Sequence, residues 1–200
     1  MEQLNFYTVD LSYVAYLQRA ETKKRGFSRV PIMAYAPPQH PKFLCGVVLQ
    51  INGNDYYVPV SSYKEQKPDN FLIVAKNGKT VGSLRFNYMF PVPKELVEVR
   101  QISSEQDPSY RALLAQELRY CIKNEETIRR LAKRTYCRVL LGKNPGLVTN
   151  SCDFPLLEER CAAYMKNKVP TLQEQIDEAK AKQVPEKAPR DDRHKEPVVR

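Results

Sequence analysis

The chain has 200 residues, with 32 Lys and Arg against 23 Asp and Glu, a formal charge of +9 and 42% hydrophobic residues. That fits one compact domain, or one domain plus a tail, excludes a wholly disordered chain, and favours a polyanionic partner. The longest apolar run, residues 43–49, is far short of the ~20 residues that cross a bilayer, and residues 1–5 lack the regions of a secretory signal, so a cytoplasmic protein with no membrane partner is predicted.

In chain order, residues 5–9 are predicted as a short strand, and Asp10 as the cap of a short helix with Leu11, Val14 and Leu17 at spacing three. Residues 19–42 read as an irregular basic segment, with Arg19, Lys23, Lys24, Arg25 and Arg29 against Glu21, then Pro31, Pro37, Pro38 and Pro41. A hairpin follows: 43–51 is apolar and β-branched, Asn52-Gly53 turns, and 56–60 returns. A second hairpin joins 71–75 to 80–86 through Asn77-Gly78, and 88–92 reads as one more strand. Past residue 100 the pattern is helical. Asp107-Pro108 opens a helix whose face carries Tyr110, Leu113, Leu114, Leu118 and Cys121. A second helix over about 125–141 turns Ile128, Leu131, Ala132 and Val139 inward, with Gly142 past its end. A third starts at Asp153 and buries Phe154, Leu156, Leu157 and Cys161. The predicted fold class is α+β: a twisted antiparallel sheet, or partly closed barrel, with packed helices. Residues 1–170 hold this domain. Residues 171–200, seven basic against seven acidic, are predicted to be a disordered tail.

The whole excess of positive charge therefore lies in residues 1–170. Across 111–138, Arg111, Arg119, Lys123, Arg129, Arg130, Lys133, Arg134 and Arg138 face only Glu117, Glu125 and Glu126. Solvated helix faces usually intersperse both signs, so this imbalance favours nucleic-acid contact. The five cysteines form no C-x-x-C pair, there are two histidines, and no glycine-rich phosphate loop is present. Reduced thiols, no metal and no cofactor are the expectation. Glu158-Glu159 reads as charged helix surface.

The segment 58–64, Val-Pro-Val-Ser-Ser-Tyr-Lys, lies where a predicted strand runs into a loop. Hairpin pairing puts residue 42 opposite residue 61, gathering Lys42, Ser61 and Ser62 with Lys64 close by and His40 further out. Two readings stay open: an ordinary turn, or a phosphate-contacting cluster. The second fits RNA cleavage, because RNA carries its own nucleophile, the 2′-hydroxyl, and lysines and hydroxyls supply charge stabilisation. The competing class is a non-catalytic basic protein that binds RNA or DNA.

Six segments in order carry a family resemblance: Phe6-Tyr7; Pro41-Lys42-Phe43; Pro59-Val60-Ser61-Ser62-Tyr63-Lys64; the stretch 82–91; Tyr110-Arg111-Ala112-Leu113-Leu114; and the stretch 152–159. Together the chain resembles the ToxN/AbiQ endoribonucleases of type III toxin–antitoxin systems, in their CptN-like branch. The resemblance implies a MazF/Kid-like core and a metal-independent, sequence-specific endoribonuclease leaving 2′,3′-cyclic phosphate and 5′-hydroxyl ends. It implies cellular and phage RNA substrates, with growth arrest or abortive infection as the outcome. It also implies a small pseudoknot RNA antitoxin, processed from tandem repeats and held in a closed protein–RNA complex. By the same resemblance Lys42, Ser61, Ser62 and Lys64 are the catalytic candidates: the serines hold the scissile phosphate or assist proton transfer, and the lysines stabilise its charge. Tyr110 contacts RNA, with Arg111, Arg119, Lys123, Arg130, Lys133 and Arg134 on the basic helices. One departure stands out. The family's tyrosine four positions before the lysine falls on Pro38, which leaves Tyr35 as its nearest replacement.

Overall fold

The computed structural model describes residues 2–34 and 41–168; Tyr35, Pro38, His40 and the tail 171–200 lie outside the described residues. Strand β1 (Asn5–Val9) leads directly into helix α1 (Leu11–Arg25). Asp10 caps α1 by accepting from the backbone amides of Ser12 at 2.8 Å and Tyr13 at 3.3 Å. Val14 and Leu17 are buried, whereas Leu11 is 51% exposed.

The predicted irregular segment from residue 19 is corrected here. The helix continues to Arg25 and ends on Gly26 in the left-handed region (φ 79°), whose amide donates to Thr22 at 2.8 Å. Alanine, glutamate, lysine and arginine are strong helix formers, and Lys23, Lys24 and Arg25 suit the negative end of the helix dipole. The high charge masked this last part of the helix from an apolar-periodicity reading.

Strands β2 (Leu44–Ile51) and β3 (Asn54–Ser61) form the first predicted hairpin. Its turn places Asn52 at φ 52° and Gly53 at φ 72°, as an Asn-Gly type I′ turn requires. Strands β4 (Asn70–Val74) and β5 (Thr80–Arg85) form the second. The predicted strand over 88–92 shrinks to a 3-10 turn, Phe86–Tyr88, and the two-residue β6 (Phe90–Pro91). Prolines at 91 and 93 deny the backbone donors that a longer strand needs. Strand β7 (Val97–Val99), which the sequence pattern did not reveal, pairs antiparallel with β1.

The sheet order is β4-β5-β3-β2-β1-β7, with antiparallel neighbours throughout. One edge of β3 pairs with β2. Its other edge is divided: Tyr56 and Tyr57 pair with β6, while Val60 and Ser61 pair with β5. Helices α2 (Pro108–Lys123), α3 (Glu125–Leu140), α4 (Pro145–Thr149) and α5 (Phe154–Lys168) follow. The chain is thus an α+β protein with an antiparallel sheet and helices, and its described residues up to 166 form one compact unit.

The core joins Phe6, Leu44, Val58 and Leu84 from the sheet to Leu114, Ile128, Ala132 and Phe154 from the helices. Glu158 is not simply surface charge. It accepts from the hydroxyls of Tyr56 and Tyr136, both at 2.7 Å, and from Asn52 at 3.1 Å, tying α5 to the first hairpin. Cys45, Cys121, Cys152 and Cys161 are buried free thiols; Cys137 is exposed on α3. Among the described residues, no helix is long and apolar enough to cross a membrane, and no cluster of His, Cys, Asp or Glu has the makings of a metal site.

Candidate active site

The first hairpin fixes the site. Leu44 pairs with Pro59 and Cys45 with Val58, and the Val60 amide donates to the Phe43 carbonyl at 3.0 Å. Continuing that register sets Lys42 opposite Ser61. Both line a cleft of about 520 Å³ with Phe43, Val60 and Ser62; α2 contributes Tyr110, Leu113 and Glu117, and β5 contributes Val81. A second hollow of about 230 Å³ shares Lys42, Val60 and Ser61, and adds Arg29, Arg85 and Tyr88. The two hollows meet at Lys42 and Ser61, which join them into one groove.

Local hydrogen bonds hold the loop that leaves β3. The Tyr63 amide donates to Ser61 Oγ at 3.2 Å, and Ser83 Oγ donates to the Tyr63 carbonyl at 2.7 Å. The Arg85 guanidinium lies 5.0 Å from the Tyr63 ring centre and 4.3 Å from that of Tyr88. Ser61 is therefore partly occupied in building the turn, while Ser62 is exposed in the groove. Lys64 is exposed on the loop beyond and lines neither hollow.

On the opposite wall, Asp107 caps α2 by accepting from Ser109 at 2.8 Å and Tyr110 at 3.3 Å. Arg100 packs 4.9 Å over the Phe43 ring and 5.7 Å from that of Tyr110, and pairs with Glu105 at 3.0 Å. These contacts link the Tyr110 wall to the start of β2.

Glu117 lies deep in the cleft at 5% exposure. Burial pushes its carboxyl up to about 7 from an ordinary 4.5. The native state therefore keeps a proton between pH 4.5 and 7 that the unfolded chain releases, so stability falls as pH rises through that window. Glu117→Gln removes this loss. It is expected to raise stability at pH 8, relative to pH 4, by on the order of 2 kcal/mol over the parent in urea denaturation.

The other RNA-binding candidates lie elsewhere. Arg111, Arg119, Lys123, Arg130, Lys133 and Arg134 are exposed, and none lines either hollow. Arg119 is two residues past Glu117, roughly 200° around the helix and away from the cleft. Arg111 donates to the Glu105 carbonyl at 3.1 Å, and Arg134 to the Pro68 carbonyl at 2.9 Å. Arg129, counted in the basic excess, is engaged with Glu125 and with the carbonyls of Val47 and Glu2. Sequence reasoning did not single out Arg85, Tyr88 or Glu117 for the site. The signal for Glu117 was present: it shares a helix face with Tyr110 and Leu113, at spacings of three and four.

Comparison with known proteins identifies the family. The family model "Toxin ToxN, type III toxin-antitoxin system" matches residues 5–162. The chain is 29% identical over 169 residues to endoribonuclease ToxN of Bacillus thuringiensis subsp. kurstaki, covering 80% of this chain and 83% of that one. It is 27% identical over 176 residues to endoribonuclease AbiQ of Lactococcus lactis subsp. lactis, covering 82% and 90%. Among solved structures it resembles one describing selective toxin inhibition by a non-coding RNA pseudoknot in bacterial type III toxin–antitoxin systems. That match has a TM-score of 0.71 and 26% identity, and covers 82% of this chain and 99% of the other. The lactococcal anti-phage endoribonuclease AbiQ shares the fold, with a TM-score of 0.69 at 23% identity over 82% and 99% of the two chains. With the family match spanning both hairpins and the helices that wall the groove, this chain belongs to the ToxN family of type III toxin–antitoxin toxins.

Proposed function

We propose that this chain is a bacterial endoribonuclease toxin that cuts RNA without a metal, leaving 2′,3′-cyclic phosphate and 5′-hydroxyl ends. The observation that carries the reading is the groove in which Lys42 and Ser61 line both hollows and Ser62 lines the larger one beside them. A phosphate seated there meets an ammonium and hydroxyl donors, groups that stabilise the charge of the phosphorane-like transition state. The 2′-oxygen attacks phosphorus as the bond to the 5′-oxygen breaks, so alignment and charge stabilisation supply most of the catalysis. Lys64, exposed on the loop beyond Ser62 and outside both hollows, adds its positive charge from the rim. The strand pairings support a MazF/Kid-like core.

A pseudoknot RNA antitoxin fits the same groove as a competing polyanion, in keeping with the inhibition described for the structural relative. The related AbiQ is described as anti-phage, which supports RNA cutting in the cytoplasm, with growth arrest or abortive infection as its effect. In this reading Arg29 and Arg85, beside Lys42, bind the backbone of either RNA. Arg29→Ala and Arg85→Ala are each expected to weaken RNA binding and lower the salt slope by about 1, whereas Arg119→Ala leaves the slope nearly unchanged; filter binding across a salt series measures this.

The functional test is induced expression in a bacterium with genome-wide mapping of RNA 5′ ends. Growth arrest accompanied by new 5′-hydroxyl ends supports the proposal. Arrest or RNA binding with no new ends would leave only the non-catalytic class.

A further inference from the structure

The groove holds one acid that the reaction outlined above leaves without a role. Glu117 lines the cleft, is 5% exposed, and among the described residues its carboxyl has no hydrogen-bond or ion-pair partner. Its oxygens are not among the fully buried unpartnered atoms, so the carboxyl is desolvated in part yet open to the cleft and to a substrate seated there.

Its position is set by close packing. A Cβ built on Gly82 would lie 2.9 Å from the Ser61 carbonyl oxygen and 3.2 Å from Glu117 Oε1. The absence of a side chain at Gly82 is what lets the carboxyl and the Ser61 backbone approach the same point. Glu117 therefore sits beside the segment whose two serines line the cleft. The charged and titratable groups around it are Tyr110 and Cys121 on its own helix, Cys45 behind Cys121, Lys42 across the cleft, and the Arg100–Glu105 pair beyond Tyr110.

Resting on the endoribonuclease reading, we propose that Glu117 is the general base that takes the proton from the attacking 2′-hydroxyl. The carboxylate accepts that proton as the O2′–P bond forms. The P–O5′ bond breaks, its electron pair goes to the 5′-oxygen, and that oxygen takes a proton from the Lys42 ammonium. Glu117 then returns its proton to solvent and Lys42 regains one, so the cycle closes without a redox partner. Burial brings the Glu117 carboxyl to about 7, where a base is both available and strong enough to act near neutral pH.

The test is single-turnover cleavage of a short RNA across about pH 5 to 9 by the parent, Glu117→Gln and Glu117→Asp, alongside an analogue with sulfur at the 5′ leaving position. The parent kcat/KM should rise with pH and level off near 7. Glu117→Gln should lower the rate by about 10²–10⁴-fold, flatten the acidic limb and leave RNA affinity unchanged. Glu117→Asp should retain the limb at a reduced rate. A sulfur leaving group needs no protonation, so the Gln variant should stay defective on the analogue.

An unchanged rate and limb in Glu117→Gln would overturn the proposal. Rescue on the sulfur analogue would make Glu117 the acid instead. A shifted cut site at full rate would make it a reader of the nucleobase. Absence of cleavage by the parent would remove the endoribonuclease reading, and the proposal with it.

Discussion

Glu21→Ala is expected to destabilise the protein by about 3–5 kcal/mol, the range for stranding a buried charge partner. Glu21 is fully buried near the end of α1. Its Oε1 accepts from Arg25 at 2.9 Å and from the Asp153 amide at 2.8 Å. Its Oε2 accepts from the Ser28 hydroxyl at 2.8 Å and from the amides of Arg29 at 2.6 Å and Val30 at 3.2 Å. One carboxylate thus ties α1, the loop after it and the start of α5. Alanine leaves these donors facing a void, and the Arg25 side chain, only 16% exposed, loses its counter-charge. Thermal unfolding should show a drop on the order of 10 °C or more for a domain of this size. The same variant should loosen residues 28–31, which line the second hollow beside Lys42, so RNA affinity should fall even well below the melting point. A melting temperature within about 2 °C of the parent would contradict this account of the network.

The second large effect belongs to the groove. Lys42→Ala and Ser62→Ala are each expected to lower the single-turnover cleavage rate by about 10²–10³-fold, comparable to removing one preorganised donor from a developing anion. Lys42 and Ser62 both face the cleft, and Ser62 is exposed, so neither truncation opens a cavity in the core. The melting temperatures should therefore stay near that of the parent. Ser61→Ala should combine a rate loss with loosening of the turn, because Ser61 Oγ also accepts from the Tyr63 amide. Cleavage at the parent rate by both Lys42→Ala and Ser62→Ala would place the chemistry elsewhere.

Much of the sheet was legible because its turns are chemically explicit. Asn52-Gly53 and Asn77-Gly78 each join runs suited to strands, and in the first hairpin a register shift between Cys45 and Leu49, which the turn does not announce, completes the pairing that brings Lys42 opposite Ser61. The helix starts were legible for a similar reason: Asp10 and Asp107 accept backbone donors as a capping residue should. The end of α1 was not, because its buried residue there is the carboxylate Glu21 rather than an apolar side chain. Strand β7 was not, because three residues held only by pairing to β1 carry no readable period.

The site shows the same division. Its hairpin half follows from local register. Its other half depends on where α2 docks against the sheet, a long-range packing outcome: the spacing groups Glu117 with Tyr110 and Leu113 but does not say that this face meets the hairpin. Glu117 was therefore counted as one charge among many on a basic helix, although the fold turns it into the cleft. Charge counting does not distinguish the cations by place: Arg129 is engaged with backbone carbonyls, Arg111, Arg119, Lys123, Arg130, Lys133 and Arg134 are exposed outside the two hollows, and the arginines that line a hollow with Lys42 are Arg29 and Arg85.

The central claim is metal-independent RNA cleavage in the Lys42–Ser61–Ser62 groove. Its most direct measurement is incubation of the purified protein with defined RNA in excess EDTA, followed by chemical identification of both new ends. Discrete fragments bearing 2′,3′-cyclic phosphate and 5′-hydroxyl ends, lost in Lys42→Ala, are the expected result. Cleavage that requires an added divalent cation, or that leaves 5′-phosphate ends, would contradict it.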